Sequence, residues 1–306
     1  MSDLYVPRSA GTERAQLGES PFWHPQEQVL YYCDIPAGRL HRFDPASGEA
    51  QRWQFDCDVA CCVPIESGGL LLARRDGLFR FDVTTDRNSK VADSPCPDPS
   101  IERFNDGKCD SAGRFWCGTV YEPKSPPLAS LYCVEGGIEG TDVQKRADAV
   151  TTSNGLAWSP DGRTMYWSDT PAHTIFALDY DVATGRIGER RVFKRFALRD
   201  AALPAESYQG RPDGGAVDSA GNYWAAMFEG GRLIQLAPDG EVIREVLLPV
   251  RCPTMPCFGG ADLKTLYVTT ASFKRPDAEL AAQPQAGCVL AIDVEIPGPS
   301  AEFYRG

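Results

Sequence analysis

The chain has 306 residues, with 42 acidic side chains against 31 basic ones for a formal charge of −11, and only three histidines. The acidic balance excludes partners that require a basic face, nucleic acid and anionic membrane surfaces among them. Three imidazoles also leave little material for a His-rich zinc site or an imidazole relay, so any chemistry must lean on carboxylates and amides.

Residues 1–18 are polar and charged, which fits neither a signal peptide nor an anchor. No run approaches the roughly 18 apolar residues that span a bilayer, and the cytoplasm is the expected compartment. A chain of this length buries roughly three quarters of its unfolded surface, so its core needs no disulfide staples. The eleven cysteines are an odd count. Cys33, Cys117, Cys133 and Cys288 fall inside strand-like runs and are expected as buried free thiols. Cys57, Cys61 and Cys62 cluster, and Cys252 and Cys257 form a second close pair, but neither group has zinc-knuckle spacing.

In chain order, strand-like segments recur in twos and threes between Asp/Pro/Gly turns. Gln28–Asp34 and Arg39–Phe43 come first, followed by Gly69–Arg74 with Gly77–Val83, and Gly113–Thr119 with Ala129–Val134. Gly155–Trp158, Thr164–Asp169 and Thr174–Tyr180 form the next group. Gly215–Val217, Asn222–Phe228, Arg232–Leu236, Thr265–Thr270 and Gly287–Val294 complete the pattern. Three turns share one chemistry: Asp110-Ser-Ala-Gly113, Ser159-Pro-Asp-Gly162 and Asp218-Ser-Ala-Gly221. Asp or Ser opens each by bonding its own backbone, Gly closes it at positive φ, and an aromatic strand follows. The spacing of an EF-hand loop is absent. Helical candidates are few, namely the charged piece Lys194–Glu206 and Asp277–Ala282. A repeat every 40 to 60 residues without intervening helices predicts an all-β six-bladed β-propeller, one domain over residues 1–306. An elongated solenoid fits the irregular repeat length less well.

Four polar stretches stand where the innermost strand of a blade should begin: Gly18-Glu-Ser-Pro-Phe-Trp23, Arg103-Phe-Asn-Asp-Gly107, Ser153-Asn-Gly155 and Arg211-Pro-Asp-Gly-Gly215. Glu19, Asn105, Asn154 and Asp213 are separated by 86, 49 and 59 residues, the first interval being two blades and the others one each. That spacing puts all four at the same end of a central channel. Taken singly, Asn-Gly and Asp-Gly are ordinary turn dipeptides. As a period-matched set they are costly to bury without a partner, and a divalent cation in the channel resolves the cost: two carboxylates supply charge and carboxamide oxygens complete the shell. Ca²⁺, Mg²⁺ and Mn²⁺ suit such donors, with Zn²⁺ and Fe²⁺ also open. Among the histidines, His24 reads as a structural imidazole, His41 as solvated on an outer strand, and His173 as a turn residue near a channel mouth. No nucleophile elbow, phosphate loop, H-E-x-x-H or dinucleotide fingerprint occurs.

Gly18-Glu-Ser-Pro-x-Trp23, Arg103-Phe-Asn-Asp-Gly-Lys108, Ser153-Asn-Gly-Leu-x-Trp158 and Pro212-Asp-Gly214 together resemble the signatures of the regucalcin/gluconolactonase-like sugar lactonases. Asp179-Tyr-Asp181, Thr184-Gly185 and Cys257-Phe-Gly-Gly260 add to the likeness, which runs from about Gly18 to the C-terminus. The resemblance implies a six-bladed propeller with one catalytic divalent metal. It also implies Glu19, Asn154 and Asp213 as metal ligands, with Asp213 as general base, and Asn105 as a further ligand or a substrate contact. Arg103 is implied as a substrate contact, and Glu122 as a glutamate facing substrate or lid, although Tyr121-Glu-Pro-Lys124 departs from the family pattern. Phe193–Gln209, read as partly helical, is expected to overhang the channel mouth. The implied reaction is hydrolysis of a sugar (aldono-) lactone by a monomer or weak homodimer. A non-catalytic calcium-binding propeller and a metal-dependent esterase on other lactones or phosphotriesters remain the alternatives at this point.

Overall fold

A computed structural model describes residues 4–11, 13–138, 140–204 and 207–306. It consists of six antiparallel sheets in sequence order. After β1 (Arg8–Ser9), the first sheet takes β2 (Gly18–His24), β3 (Val29–Asp34), β4 (Arg39–Phe43) and β5 (Ala50–Gln54). The second holds β6 (Val59–Pro64), β7 (Leu70–Arg74), β8 (Gly77–Asp82) and β9 (Arg87–Asp93). The third holds β10 (Glu102–Cys109), β11 (Phe115–Tyr121), β12 (Ala129–Glu135) and β13 (Asp142–Val150). The fourth is five-stranded, with β14 (Ser153–Trp158), β15 (Thr164–Asp169), β16 (Thr174–Asp181), β17 (Arg186–Ile187) and β18 (Arg191–Arg195). The fifth comprises β19 (Arg211–Val217), β20 (Tyr223–Phe228), β21 (Arg232–Leu236) and β22 (Val242–Leu247). The last comprises β23 (Pro253–Gly259), β24 (Thr265–Thr270) and β25 (Leu290–Asp293), with α1 (Asp277–Ala282) between the last two strands. Its outermost strand is β1, which pairs with β25 through Arg8 and Ser9, so the two ends of the chain close the ring. This is the six-bladed β-propeller that the repeat predicts.

The core is divided accordingly. Six apolar clusters form, each drawing residues from two neighbouring blades. The eleven cysteines are all free, and all but Cys57 are buried as small apolar side chains within this packing. The three shared turns behave as expected: Gly113, Gly162 and Gly221 have φ of +83°, +67° and +87°. The turn aspartates do more than cap. Asp110 accepts from Trp116 Nε1 at 3.0 Å and Asp218 from Trp224 Nε1 at 3.1 Å, tying each turn to a fully buried indole on the following strand.

Two expectations fail. Lys194–Glu206 forms no helix among the described residues: Arg191–Arg195 is strand, and 196–204 runs on without helical structure, Ala205 and Glu206 lying outside the described residues. Within Phe193–Gln209, residues 193–204 are therefore strand and irregular chain rather than helix. The strand is drawn into pairing with β16, whose edge would otherwise be open. His41 is buried rather than solvated, because the neighbouring Tyr32 ring stacks on it at 4.6 Å. The short helix Asp277–Ala282 matches its expected bounds.

Candidate functional site

The six inner strands β2, β6, β10, β14, β19 and β23 all lose register against their neighbour near the same level. A bulge inserts residues that the partner strand does not match and re-aims their side chains. The shifts fall after Glu19, Phe104, Asn154 and Pro212, so Glu19 and Asn154 are the last paired residues and Asn105 and Asp213 the first beyond the ladder. Glu19, Asn105, Asn154 and Asp213 consequently share one open cavity of about 450 Å³, together with Arg103. Lys124, Thr152, Thr170 and Arg211, which sequence reasoning did not single out, join them, as does His173, expected near a channel mouth.

Arg103, Asn105, Asn154 and Asp213 form one hydrogen-bonded chain. Arg103 Nη1 donates to Asn105 Oδ1 at 3.0 Å, Asn105 Nδ2 donates to Asn154 Oδ1 at 2.8 Å, and Asn154 Nδ2 donates to Asp213 Oδ1. Asn154 Nδ2 also reaches Thr170 Oγ1 at 2.8 Å. A carboxamide oxygen has two lone pairs and each here uses one, so both Asn105 and Asn154 keep an acceptor free.

Glu19 and Asp213 are buried, and among the described residues neither has an ion-pair partner. Burial raises the Glu19 carboxyl well above the ordinary range, and the nearby Asp213 and Asp106 charges raise it further. Burial likewise pushes Asp213 up to about 7, with Asp106 adding to it and Arg211 opposing it. Asp106 lies below them on β10. Its Oδ2 accepts from the Leu156 backbone at 3.0 Å while Oδ1 is buried without a partner, and burial raises its pKa too. Lys108 answers Asp106 from within the channel, where it donates to the Gly215 carbonyl at 2.9 Å.

This donor set fits a hard divalent cation. Two crowded carboxylates without a cationic partner and two carboxamide oxygens with spare lone pairs form an all-oxygen shell. Among the described residues no group of three or more His, Cys, Asp and Glu side chains could hold a metal ion, so the carboxamides have to contribute.

The structure does not bring Glu122 to the cavity wall. Its carboxylate is held by Arg75 at 2.9 and 3.3 Å and stands 3.6 Å from Arg103 Nε. Arg75 and Asp58 thus complete a buttress behind Arg103. His173 uses both ring nitrogens, toward the Ala197 carbonyl at 2.9 Å and the Tyr208 hydroxyl at 3.1 Å, and His24 accepts from the Glu27 backbone at 3.2 Å as a structural imidazole.

The SMP-30/Gluconolactonase/LRE-like region model matches residues 17–272, which contain every residue of this cavity. The chain belongs to this family. Within the SMP-30/gluconolactonase family it is similar to a 6-deoxy-6-sulfogluconolactonase of Pseudomonas putida, with 42% identity across 95% of both chains. A regucalcin of Gallus gallus is 37% identical across 92% of both. Among solved structures, a regucalcin from Agrobacterium tumefaciens strain C58, described as a calcium-binding protein, superimposes with a TM-score of 0.89 at 27% identity over 98% of both chains. Among the described residues no helix is long and apolar enough to cross a membrane.

Proposed function

We propose that this chain is a divalent-metal-dependent lactonase that hydrolyses a sugar (aldono-) lactone to the aldonic acid. The observation that carries the reading is the convergence of Glu19, Asn105, Asn154 and Asp213 on one polar cavity, in a chain of the family to which a named sulfogluconolactonase is closely similar. Glu19, Asn154 and Asp213 hold the metal, with Asn105 beside them. A divalent cation there supplies Lewis-acid polarisation of the ester carbonyl and a lowered pKa for water.

The chain's own residues account for the rest. Asp213 Oδ1 is fixed by Asn154, while Oδ2 has no donor among the described residues and faces the task of accepting the proton of the attacking water. Arg103 is braced by Asp58 and Glu122 and still offers guanidinium hydrogens to sugar hydroxyls. Asn105 and Thr170 add short polar contacts on the same wall. Glu122, placed behind Arg103, acts on substrate through that arginine. Asp106, desolvated beneath the carboxylates, adds negative charge that favours the cation.

Asp213→Ala should abolish lactone hydrolysis while leaving the thermal transition cooperative. The check is a pH-indicator assay over a panel of sugar lactones, with chelated protein reloaded with single metals. Near-wild-type turnover by the variant would sink the assignment of Asp213. Wild-type protein that turns over none of the lactones with any metal would move the reading to a metal-binding propeller without catalysis.

A further inference from the structure

Two of the three cations at the cavity have their charge answered outside it. Arg103 lies 3.5 Å from Asp58 and 3.6 Å from Glu122, and Arg211 is 2.8 Å from Glu229 and stacks over Phe228. Lys124 differs. The residue as a whole is exposed, yet its ammonium end turns to the cavity, where Nζ donates to Thr152 Oγ1 at 2.9 Å. Among the described residues no carboxylate lies within ion-pair distance of it. The one acidic group on its own loop, Glu122, is engaged by Arg75 instead. Loss of hydration and the like charges of Arg103 and Arg211 lower the Lys124 pKa from its usual range. A cation held beside two others, with no carboxylate in ion-pair contact among the described residues, is a poor arrangement for the free protein and a good one for an anionic ligand.

The wall composition points the same way. Glu19 and Asp213 are the acidic groups that line the cavity, and Arg103, Lys124 and Arg211 the basic ones. With the carboxylates committed to a divalent cation, the remaining wall is positive, and Lys124 contributes the charge that no carboxylate pairs with among the described residues. A neutral polyol needs acceptors as well as donors, because each hydroxyl does both. This wall offers charged donors in excess.

We propose that Lys124 and Arg211 form an anion subsite, and that the substrate is an aldonolactone bearing an anionic substituent away from its ester carbonyl. A sulfonate, a phosphate and a carboxylate share the required chemistry. The inference rests on the lactonase reading and adds to it the class of lactone and two specificity-determining residues.

The test compares kcat/KM for D-gluconolactone with values for gluconolactones carrying a sulfonate or a phosphate at C6, and for the C6-carboxylate lactone, after subtraction of uncatalysed opening. Wild-type enzyme should prefer at least one anionic lactone by about tenfold or more, as a charge-assisted contact implies. Which of the three is preferred identifies the anion. Lys124→Met should lower the anionic-to-neutral ratio by about tenfold, mainly through KM, and Lys124→Glu should lower it further. Arg211→Gln should lower the same ratio without altering the ranking of neutral sugars. Lys124 sits on an exposed loop, and the ratio is internally corrected for loss of folded protein. Two results overturn the proposal while leaving the lactonase reading intact. One is a wild-type enzyme that hydrolyses the neutral lactone as well as every anionic one. The other is a ratio unmoved by all three substitutions, which would mean that these cations serve only the carboxylate released on ring opening. Absence of turnover on every lactone defeats the lactonase reading first, and the subsite with it.

Discussion

Lys124 carries a pH dependence whose sign follows from its surroundings. Desolvation and the facing charges of Arg103 and Arg211 outweigh the attraction of Asp213 and Glu122, and lower its pKa to about 8. A lysine so shifted is charged below that value and loses its charge as pH rises through it, whereas the arginines stay charged throughout. The ratio of kcat/KM for an anionic lactone over a neutral one should therefore be flat up to about pH 7 and fall above about pH 8, without reaching unity. The profile of Lys124→Met should be flat over the same range, and a wild-type ratio constant to pH 9.5 would contradict the assignment. Individual residues differ in how readily the sequence reveals them. Glu19, Asn105, Asn154 and Asp213 were legible because the blade repeat places them at equal depth. Lys124 and Arg211 were not, since Lys124 reaches the cavity from the loop after β11 and Arg211 from the first residue of β19, and the role of each depends on which neighbours are acidic. Asp106 was hidden inside the Arg-Phe-Asn-Asp-Gly stretch, where its burial depends on β14, from whose Leu156 backbone N–H it accepts a hydrogen bond.

At the level of strands, sequence legibility followed the pattern of burial. Central strands such as β15 and β20 are apolar and aromatic and stand out on both sides. Most inner strands carry Gly, Pro or Asn at their bulges and read as turns, as β23 does with Pro253, whereas β6 bulges at Val59–Cys61 without them and passed unmarked beside its cysteine cluster. Outer strands β5, β9 and β22 face water and lack alternation. A second strand that packs against the inner strand of the next blade also tolerates little added volume. At Gly118 on β11, an added Cβ would fall 1.7 Å from Ser153 Oγ, the atom that accepts the buried Trp167 indole N–H at 2.7 Å. Gly118→Ala should therefore destabilise the fold by about 1–3 kcal/mol. It should also weaken activity, because Ser153 precedes Asn154 on the same strand. Combining it with Ser153→Gly removes the clash but leaves the indole unpartnered, so recovery of the urea midpoint should be partial. A double variant no more stable than Gly118→Ala alone would show that the strain lies elsewhere.

For the whole molecule, the proposed cation joins strands from four different blades. Glu19, Asn105, Asn154 and Asp213 come from β2, β10, β14 and β19, a span that no single sheet holds together. The free protein instead confines Glu19 and Asp213 near Asp106, whose charge raises the pKa of both while Asp213 also raises that of Glu19, without a neutralising ion pair among the described residues. That arrangement trades stability for a binding site, a common cost at functional centres. Two opposite effects of one substitution follow. In chelator, Asp213→Asn removes a buried charge and its repulsion of Glu19 while keeping a polar group of the same shape, so the variant should melt at or above the wild-type temperature. With a suitable divalent cation, the wild type should gain about 2.7 kcal/mol at a hundredfold excess over Kd, and the variant much less. The two melting temperatures should therefore cross as the cation is titrated, which differential scanning calorimetry can follow. A variant that melts far below wild type in chelator would instead identify Asp213 as a structural carboxylate whose partners stabilise the ring directly. In that case the convergence of four blades on this cavity would owe more to packing than to ligand binding.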